Sequence, residues 1–157
     1  MPQSSENLTK TIAVACDHGG LEMKLVLSDM LAKDGFHVLD LGAKKTESVD
    51  YPDYAYKLSR ALIEGRASRG VLICGSGIGI SIAANRFPQI RAALIHDALG
   101  ARLCREHNNA NVIAFGGRTL GVETCLLSTA DAADAPLGVP TSGPRTVETQ
   151  TEPWHTH

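Results

Sequence analysis

Short apolar runs alternate along the chain with longer segments in which apolar residues recur every three or four positions. The runs are rich in β-branched side chains, and the third and fifth are nearly continuous, which is typical of strands covered on both faces of a parallel sheet. The pattern therefore predicts five buried strands. They are Thr11–Cys16, Phe36–Leu41, Val71–Cys74, Arg91–Ile95 and Asn111–Phe115.

The segments between these runs have the spacing of amphipathic helices. Gly35 and Gly65 follow the first two of them, at positions where a left-handed C-terminal cap commonly lies. The first helix has the apolar face Met23, Leu27, Met30 and Leu31, and the second has Ala55, Leu58 and Leu62. The third helix begins after Cys74 and ends before Pro88, and the fourth spans Ala98–Glu106.

Strands that alternate with helices predict an α/β fold with right-handed crossovers. We expect a single-domain, Rossmann-like three-layer α/β/α sandwich around a five-stranded parallel sheet. The chain of 157 residues divides into a polar N-terminal extension (1–10), the folded domain (11–135) and a tail (136–157). Four of the seven prolines lie in the tail among Thr, Ser and Gly, so we expect it to be irregular or disordered.

Charge and hydropathy exclude several classes of partner. The net charge of −2 argues against a basic nucleic-acid-binding face and against a polybasic membrane anchor. No stretch approaches the roughly 20 apolar residues that cross a bilayer, and the first ten residues lack the apolar core of a secretory signal. We therefore expect a cytoplasmic protein that binds neither nucleic acid nor membrane.

The four cysteines, Cys16, Cys74, Cys104 and Cys125, include no Cys-x-x-Cys pair, so neither a zinc ribbon nor a thioredoxin motif is present. In a reducing compartment they are free thiols, and a free thiol is most often a small buried apolar group.

The strongest candidate for chemistry is the segment Cys74-Gly-Ser-Gly-Ile-Gly-Ile-Ser81, which follows the third strand. Its alternating glycines let backbone N–H groups turn inward toward an anion or a developing oxyanion. The same groups favour the thiolate of Cys74, which makes it a candidate base or nucleophile. The alternative is a tight strand-to-helix turn with a packed thiol. A dinucleotide-binding fingerprint would need glycine where Ile80 stands.

Other candidates follow other strands and helices. Asp17 and His18 can bind sugar hydroxyls or phosphate, although Asp17 can equally cap the next helix. His107 can transfer protons near neutral pH, although a histidine is also favoured electrostatically near a helix C-terminus. Asn108 and Asn111 could orient His107 or bind hydroxyls. Arg118 could pair with phosphate or simply be solvated. We interpret His37 as structural, and His155 and His157 as parts of the tail.

Four motifs in this order resemble the type B ribose-5-phosphate isomerases, which are grouped with the galactose-6-phosphate isomerase subunits. They are Cys-Asp-His-Gly-Gly (16–20), Asp-Tyr-Pro-Asp-Tyr-Ala (50–55), Ile-Cys-Gly-Ser-Gly-Ile-Gly-Ile-Ser-Ile-Ala-Ala-Asn-Arg (73–86) and His-Asn-Asn-Ala-Asn-Val-Ile-Ala-Phe-Gly-Gly-Arg (107–118), and the resemblance spans about residues 11–121. It implies an enzyme that interconverts an aldose phosphate and a ketose phosphate without a metal or an organic cofactor.

The resemblance also implies roles for individual residues. Cys74 would take the proton from C2 of the sugar and return it at C1, and His107 would help to open the furanose ring. The enediolate would be held by the amides of the loop, and the sugar by further side chains. The loop amides are those of Gly75, Ser76, Gly77, Ile78 and Gly79; Ser76 and Ser81 would add hydrogen bonds or hold the loop; and Asp17, His18 and Asn108 would bind the sugar.

The resemblance further implies a homodimer or a dimer of dimers, in which the neighbouring subunit completes each site. The chain departs from the family at its end. Residues 134–145 lack the expected Gly-Gly-Arg-His cluster and the further arginine after it, which leaves Arg118 and His18 to hold the phosphate. Ribose 5-phosphate is the leading substrate, with a hexose 6-phosphate (allose or galactose) or a non-catalytic sugar-phosphate-binding role as alternatives.

Overall fold

The computed structural model describes residues 4–134, which form a five-stranded parallel sheet with helices on both faces. The order across the sheet is β2-β1-β3-β5-β4, and every neighbouring pair is parallel. The predicted strands are confirmed, and their ends differ from the predicted ones by at most two residues. They are β1 (Thr11–Cys16), β2 (His37–Asp40), β3 (Arg69–Cys74), β4 (Ala92–Leu94) and β5 (Val112–Gly116).

Within residues 4–134, six α-helices accompany the sheet, of which the hydrophobic pattern predicted four. The prediction for residues 98–106 agrees with the structure at both ends. The helices are α1 (Ser5–Thr9), α2 (Leu21–Lys33), α3 (Tyr51–Ile63), α4 (Ile78–Ala84), α5 (Ala98–Glu106) and α6 (Val122–Asp134). The sequence analysis did not predict α1, which buries no residue, or α6, which buries Cys125, Thr129 and Ala132. The tail and its missing arginine cluster lie outside the described residues.

The side chains of each strand point alternately to the two faces of the sheet, and helices cover both faces, which gives the predicted three layers. Val14 and Cys16 of β1 pack with α2, α5 and α6, whereas Ala13 and Ala15 pack with α3 and α4 on the opposite face. Successive strand residues point to opposite faces, and because all six residues of β1 are buried, both faces of the sheet carry an apolar layer there. None of the helices between residues 4 and 134 is long and apolar enough to cross a membrane.

Two glycines end helices as predicted. Gly35, after α2, has φ of +90°, and Gly65, after α3, has φ of +73°. Both values lie in the left-handed region, which glycine adopts without the cost that a Cβ imposes.

A buried ammonium group fixes the loop after β2. Lys24, on α2, is 1 % exposed and donates hydrogen bonds of 2.7 Å to both Asp40 Oδ1 and the Ala43 carbonyl. Burial raises the pKa of Asp40, but the hydrogen bonds from Lys24 and from the Gly42 N–H outweigh it and leave the pKa below its ordinary value. The loop is therefore anchored where β2 ends.

The order of the strands also places a crevice. The chain moves outward from β1 to β2, and then to the other side of β1 for β3, so the direction of winding reverses between β1 and β3. In open α/β sheets ligands bind beyond the carboxyl ends of the strands at such a reversal. The segments after β1 and β3 therefore border this crevice.

The raised pKa values of two buried thiols predict that the protein loses stability at alkaline pH. Burial raises the pKa of Cys16 from 9.0 to about 11 and that of Cys125 from 9.0 to about 12. Between pH 9 and 11 the unfolded chain loses these protons while the folded chain keeps them, so the free energy of unfolding falls by about 1.4 kcal/mol per pH unit for each thiol. Urea unfolding from about pH 8.5 to about pH 10.5 measures this slope.

Cys16→Ala should flatten that dependence on pH. Val14→Ala, on the same face of β1, is the matched control, because it removes buried apolar atoms without removing a titrating group. Equal slopes for Cys16→Ala and the wild type would contradict the assignment.

Candidate active site

Three loops meet backbone to backbone at the carboxyl edge of the sheet. A Cβ built on Gly19, after β1, would lie 3.2 Å from the Gly75 nitrogen, after β3, and one built on Gly117, after β5, would collide with the Gly19 carbonyl. The Gly117 N–H donates to the Cys74 carbonyl (2.7 Å), and the Arg118 N–H donates to the Gly75 carbonyl (2.9 Å). Segments predicted separately from the ends of three strands are thus brought together.

Cys74 ends β3 on the face covered by α3 and α4. The residue is 4 % exposed and belongs to an apolar cluster with Ala15, Leu72 and Ile80. Its sulfur accepts a hydrogen bond of 3.1 Å from the Gly77 N–H. Both interpretations of the sequence are therefore partly realised, because the thiol is packed and is also contacted by an amide of the glycine loop.

The loop after Cys74 requires glycine at position 77. Gly77 has φ of +77°, and a Cβ there would lie 2.7 Å from Leu94 Cδ1 and 2.8 Å from the Phe115 carbonyl carbon. The left-handed backbone and the lack of space both exclude a larger residue. This conformation aims the Gly77 N–H back at the sulfur.

The two serines of this segment hold the loop. Ser76 Oγ accepts from the Ile78 N–H (3.2 Å), and Ser81 Oγ donates to the Ile78 carbonyl (2.7 Å). The Gly77 and Ile78 amides are thus engaged inside the loop. Between residues 4 and 134, the N–H groups of Gly75, Ser76 and Gly79 have no acceptor, so they are the loop amides that can face a bound anion.

Asp17 and His18 lie on the other wall of the crevice. Asp17 is 7 % exposed, and its Oδ1 accepts from the Gly19 N–H (2.8 Å), so the capping interpretation is correct for that oxygen. His18 Nδ1 accepts from the Val49 N–H (3.2 Å). Because that nitrogen is an acceptor, the proton of the neutral ring lies on Nε2, which is left to donate.

Two further side chains border the glycine loop. Arg118 lies along Gly75, where an added Cβ would be 3.6 Å from its Cδ and 3.8 Å from Nη1. Tyr51, the first residue of α3, lies over Gly79, where an added Cβ would be 2.7 Å from Cζ and 2.9 Å from the hydroxyl oxygen. The sequence analysis gave Tyr51 no role, although the 50–55 motif that contains it was a signal.

His107 and Asn108 are not near Cys74 within one chain. They follow α5 and precede β5, which begins at Val112, whereas Cys74 lies beside Gly116 at the other end of that strand. Four strand steps of about 3.3 Å place the two edges about 13 Å apart. The structure therefore separates the predicted site residues into two groups on opposite edges of the sheet.

The asparagines at that second edge have contacts of their own. The Asn108 main-chain oxygen accepts from the Arg91 guanidinium, at 2.9 Å from Nε and 2.6 Å from Nη2. The Asn111 side chain accepts from the Arg91 N–H (2.8 Å) and donates to the Gln89 carbonyl (2.9 Å). Asn111 thus fixes the loop before β4, while the Asn108 side chain is exposed.

Comparison with known proteins identifies the family. The Ribose/Galactose Isomerase family model matches residues 12–130. The chain belongs to this family. Escherichia coli ribose-5-phosphate isomerase B is 42 % identical over 136 residues, which cover 87 % of this chain and 89 % of the relative. The D-erythrulose-4-phosphate isomerase of Pectobacterium atrosepticum is 42 % identical over 114 residues, covering 72 % and 75 %.

A solved structure agrees with this family assignment. The Clostridium thermocellum ribose-5-phosphate isomerase B superposes with a TM-score of 0.79 at 44 % identity, and the match covers 80 % of this chain and 84 % of that one. As a member of the ribose/galactose isomerase family, the chain is a sugar-phosphate isomerase by class.

The geometry at Gly77 predicts a large cost for any side chain there. We expect Gly77→Ala to lower the free energy of unfolding by about 2–4 kcal/mol, because the added Cβ both strains the left-handed backbone and clashes with Leu94 and Phe115. Gly65→Ala is the matched control, since Gly65 has a similar φ of +73° but no atom within 4 Å of an added Cβ. We expect it to cost about 1 kcal/mol. Equal costs in urea unfolding would show that the contacts at Gly77 do not matter.

Proposed function

We propose that this protein interconverts ribose 5-phosphate and ribulose 5-phosphate through an enediolate, with Cys74 as the base. The observation that carries the proposal is the position of the Cys74 sulfur beneath the glycine loop, in contact with the Gly77 N–H and beside loop amides that have no described acceptor. A base and a set of N–H donors at one point suit a reaction that moves a proton and creates a negatively charged oxygen. The ribose-5-phosphate isomerase B names of the relatives support the choice of substrate.

The proposed chemistry starts from the ring-opened aldose. The Cys74 thiolate removes the C2 hydrogen as a proton, the electron pair left on C2 forms the C1–C2 double bond, and O1 takes the negative charge. The amides of Gly75, Ser76 and Gly79 stabilise this oxyanion. The proton on O2 then moves to O1, and Cys74 returns its own proton to C1, which yields the ketose and restores the thiolate.

The groups around the crevice suit the rest of a sugar phosphate. Arg118 presents a guanidinium along Gly75, and His18 presents an Nε2–H, so both are placed to donate to phosphate oxygens. The second carboxylate oxygen of Asp17 can accept from a sugar hydroxyl, and the Tyr51 hydroxyl near Gly79 is placed to contact the sugar chain.

We further propose that a second copy of the chain completes each site, in a homodimer or a dimer of dimers. Ring opening needs a proton donor and acceptor near O4 and O1 of the furanose, and His107 is suited to both roles. Its place on the edge opposite Cys74 means that only another chain can supply it, together with Asn108. A two-fold axis would build two such sites at once.

Replacement of Cys74 tests the base. We expect Cys74→Ala to lower kcat for ribose 5-phosphate by about 10²–10⁴-fold with little change in substrate affinity, because the proton transfer loses its acceptor. Cys104→Ala is the matched control, since burial raises the pKa of that thiol above its ordinary value and it lies on the other face of the sheet. Formation of ribulose 5-phosphate is the measurement, and normal turnover by Cys74→Ala would eliminate the proposed base.

Mixing two inactive variants tests the shared site. Cys74→Ala and His107→Ala chains, unfolded together and refolded in equal amounts, should recover about a quarter of the wild-type rate, because half of the dimers are mixed and each mixed dimer has one intact site. Each variant refolded alone should stay inactive. No recovery, in mixtures shown by mass spectrometry to contain mixed dimers, would mean that both groups act from one chain.

The choice among sugars rests on comparing kcat/KM values. The Pectobacterium relative is named for a tetrose phosphate, and the family description includes galactose, so ribose 5-phosphate should be compared with a tetrose 4-phosphate and with allose and galactose 6-phosphates. We expect the highest value for ribose 5-phosphate. Calorimetric binding of ribose 5-phosphate without turnover would instead favour a non-catalytic binding role.

A further inference from the structure

Two arginines lie together at the edge of the sheet opposite Cys74. Arg105, in the last turn of α5, is 3 % exposed, and Arg69 is the first residue of β3 and is half-buried. Both line a small cavity of about 30 Å³ that opens to solvent. The rest of the lining is largely apolar and includes Ile12, Val71 and Ile113.

The two guanidinium groups are only partly satisfied by the described protein. Arg105 Nη1 donates to the Ala110 carbonyl, and Arg69 Nη1 donates to the Ala133 carbonyl at 3.0 Å. Arg105 Nε and Nη2 are buried without any acceptor among residues 4–134. Within the same part of the chain, no carboxylate lies within ion-pair distance of either arginine.

The polar neighbours in the cavity are already engaged. Thr129 Oγ1 donates to the Cys125 carbonyl (2.8 Å), and the Asn111 side chain is bound to the segment 89–91. They therefore do not offset the two positive charges. Burial lowers the pKa of both arginines, and the charge of Arg69 lowers that of Arg105 further. Because a guanidinium keeps its proton in proteins, the charge must be balanced by an anion and not by deprotonation.

We propose that Arg69 and Arg105 form an oxyanion-binding site that accepts a phosphate or a carboxylate. Arg105 offers Nε and Nη2, the adjacent pair of donors that binds two oxygens of one oxyanion side by side. Arg69 adds a second positive charge from the amino end of β3. The site lies at the amino ends of β3 and β5, one strand length from Cys74, so its occupant is separate from the sugar phosphate proposed to bind beside Cys74 of the same chain.

The oxyanion has two possible sources with the same chemistry. One is a free anion of the phosphate class. The other is a carboxylate from the residues that follow Ala133, whose acidic side chains are Asp134, Glu148 and Glu152. Arg69 binds the Ala133 carbonyl, and Ala133 lines the cavity.

Thermal unfolding of the full chain with increasing inorganic phosphate, at constant ionic strength, tests the first source. The Arg118→Met variant is the background, because it weakens phosphate binding at the proposed catalytic site. At about tenfold excess over Kd, phosphate should raise its Tm by on the order of 3–6 °C. The shift should disappear when Arg69→Met is added and shrink when Arg105→Lys is added. Arg102→Met, on the exposed side of α5, should leave it unchanged.

Double-mutant cycles test the second source. If a carboxylate of the chain occupies the pair, phosphate will not raise Tm, and one of Asp134→Asn, Glu148→Gln or Glu152→Gln will lower Tm in the wild type but not beside Arg69→Met. Either pattern supports the proposal. A phosphate shift that is the same with and without Arg69, or no shift and no coupling to any of the three carboxylates, would overturn it. Arg105→Lys keeps the buried positive charge, so the phosphate test can still be read if Arg69→Met does not fold.

Discussion

Close packing of backbone against backbone at the carboxyl edge is the constraint on which the site depends. The loops after β1, β3 and β5 contact one another closely, since a Cβ on Gly19 would touch the main chain of Gly75 and one on Gly117 would collide with the main chain of Gly19. Because no side chains intervene, Asp17 and Arg118 are held close to the Cys74 loop by main-chain hydrogen bonds. The positions of the side chains that line the crevice are therefore set by contacts between the main chains of the three loops.

The register of the sheet separates two thiols that look equivalent in the sequence. Cys16 and Cys74 each end a central strand, but Cys16 pairs with Ile73, so Cys74 lies one residue further along and on the opposite face. Cys16 is enclosed with the apolar side chains of α2, and its pKa rises to about 11 because burial disfavours the thiolate. Cys74 faces the glycine loop and receives the Gly77 N–H. A shift of one residue thus places one sulfur at the glycine loop and the other in the apolar layer beneath α2.

The sequence predicted what depends on local periodicity and on the ends of strands. Five strands, four helices and the two left-handed glycines Gly35 and Gly65 follow from patterns a few residues long. The direction of individual N–H groups does not follow in this way, so the use of the Gly77 and Ile78 amides inside the loop emerged only from the structure. Tyr51 is brought to Gly79 by packing between α3 and α4, which no spacing in the sequence reveals.

The path of α5 accounts for the remaining difference. The helix begins at the carboxyl edge, where Asp97 caps it, and ends at the amino edge with His107. The continuous motif 107–118 thus runs from the amino edge of the sheet, at His107, to the carboxyl edge, at Arg118. The proposed shared site therefore requires two copies of the chain whose strands run in opposite directions. A two-fold axis perpendicular to the strands exchanges the two edges and meets this requirement. Arg105 binds the Ala110 carbonyl in the turn that carries His107, so the buried arginine holds the segment that each copy would present to the other.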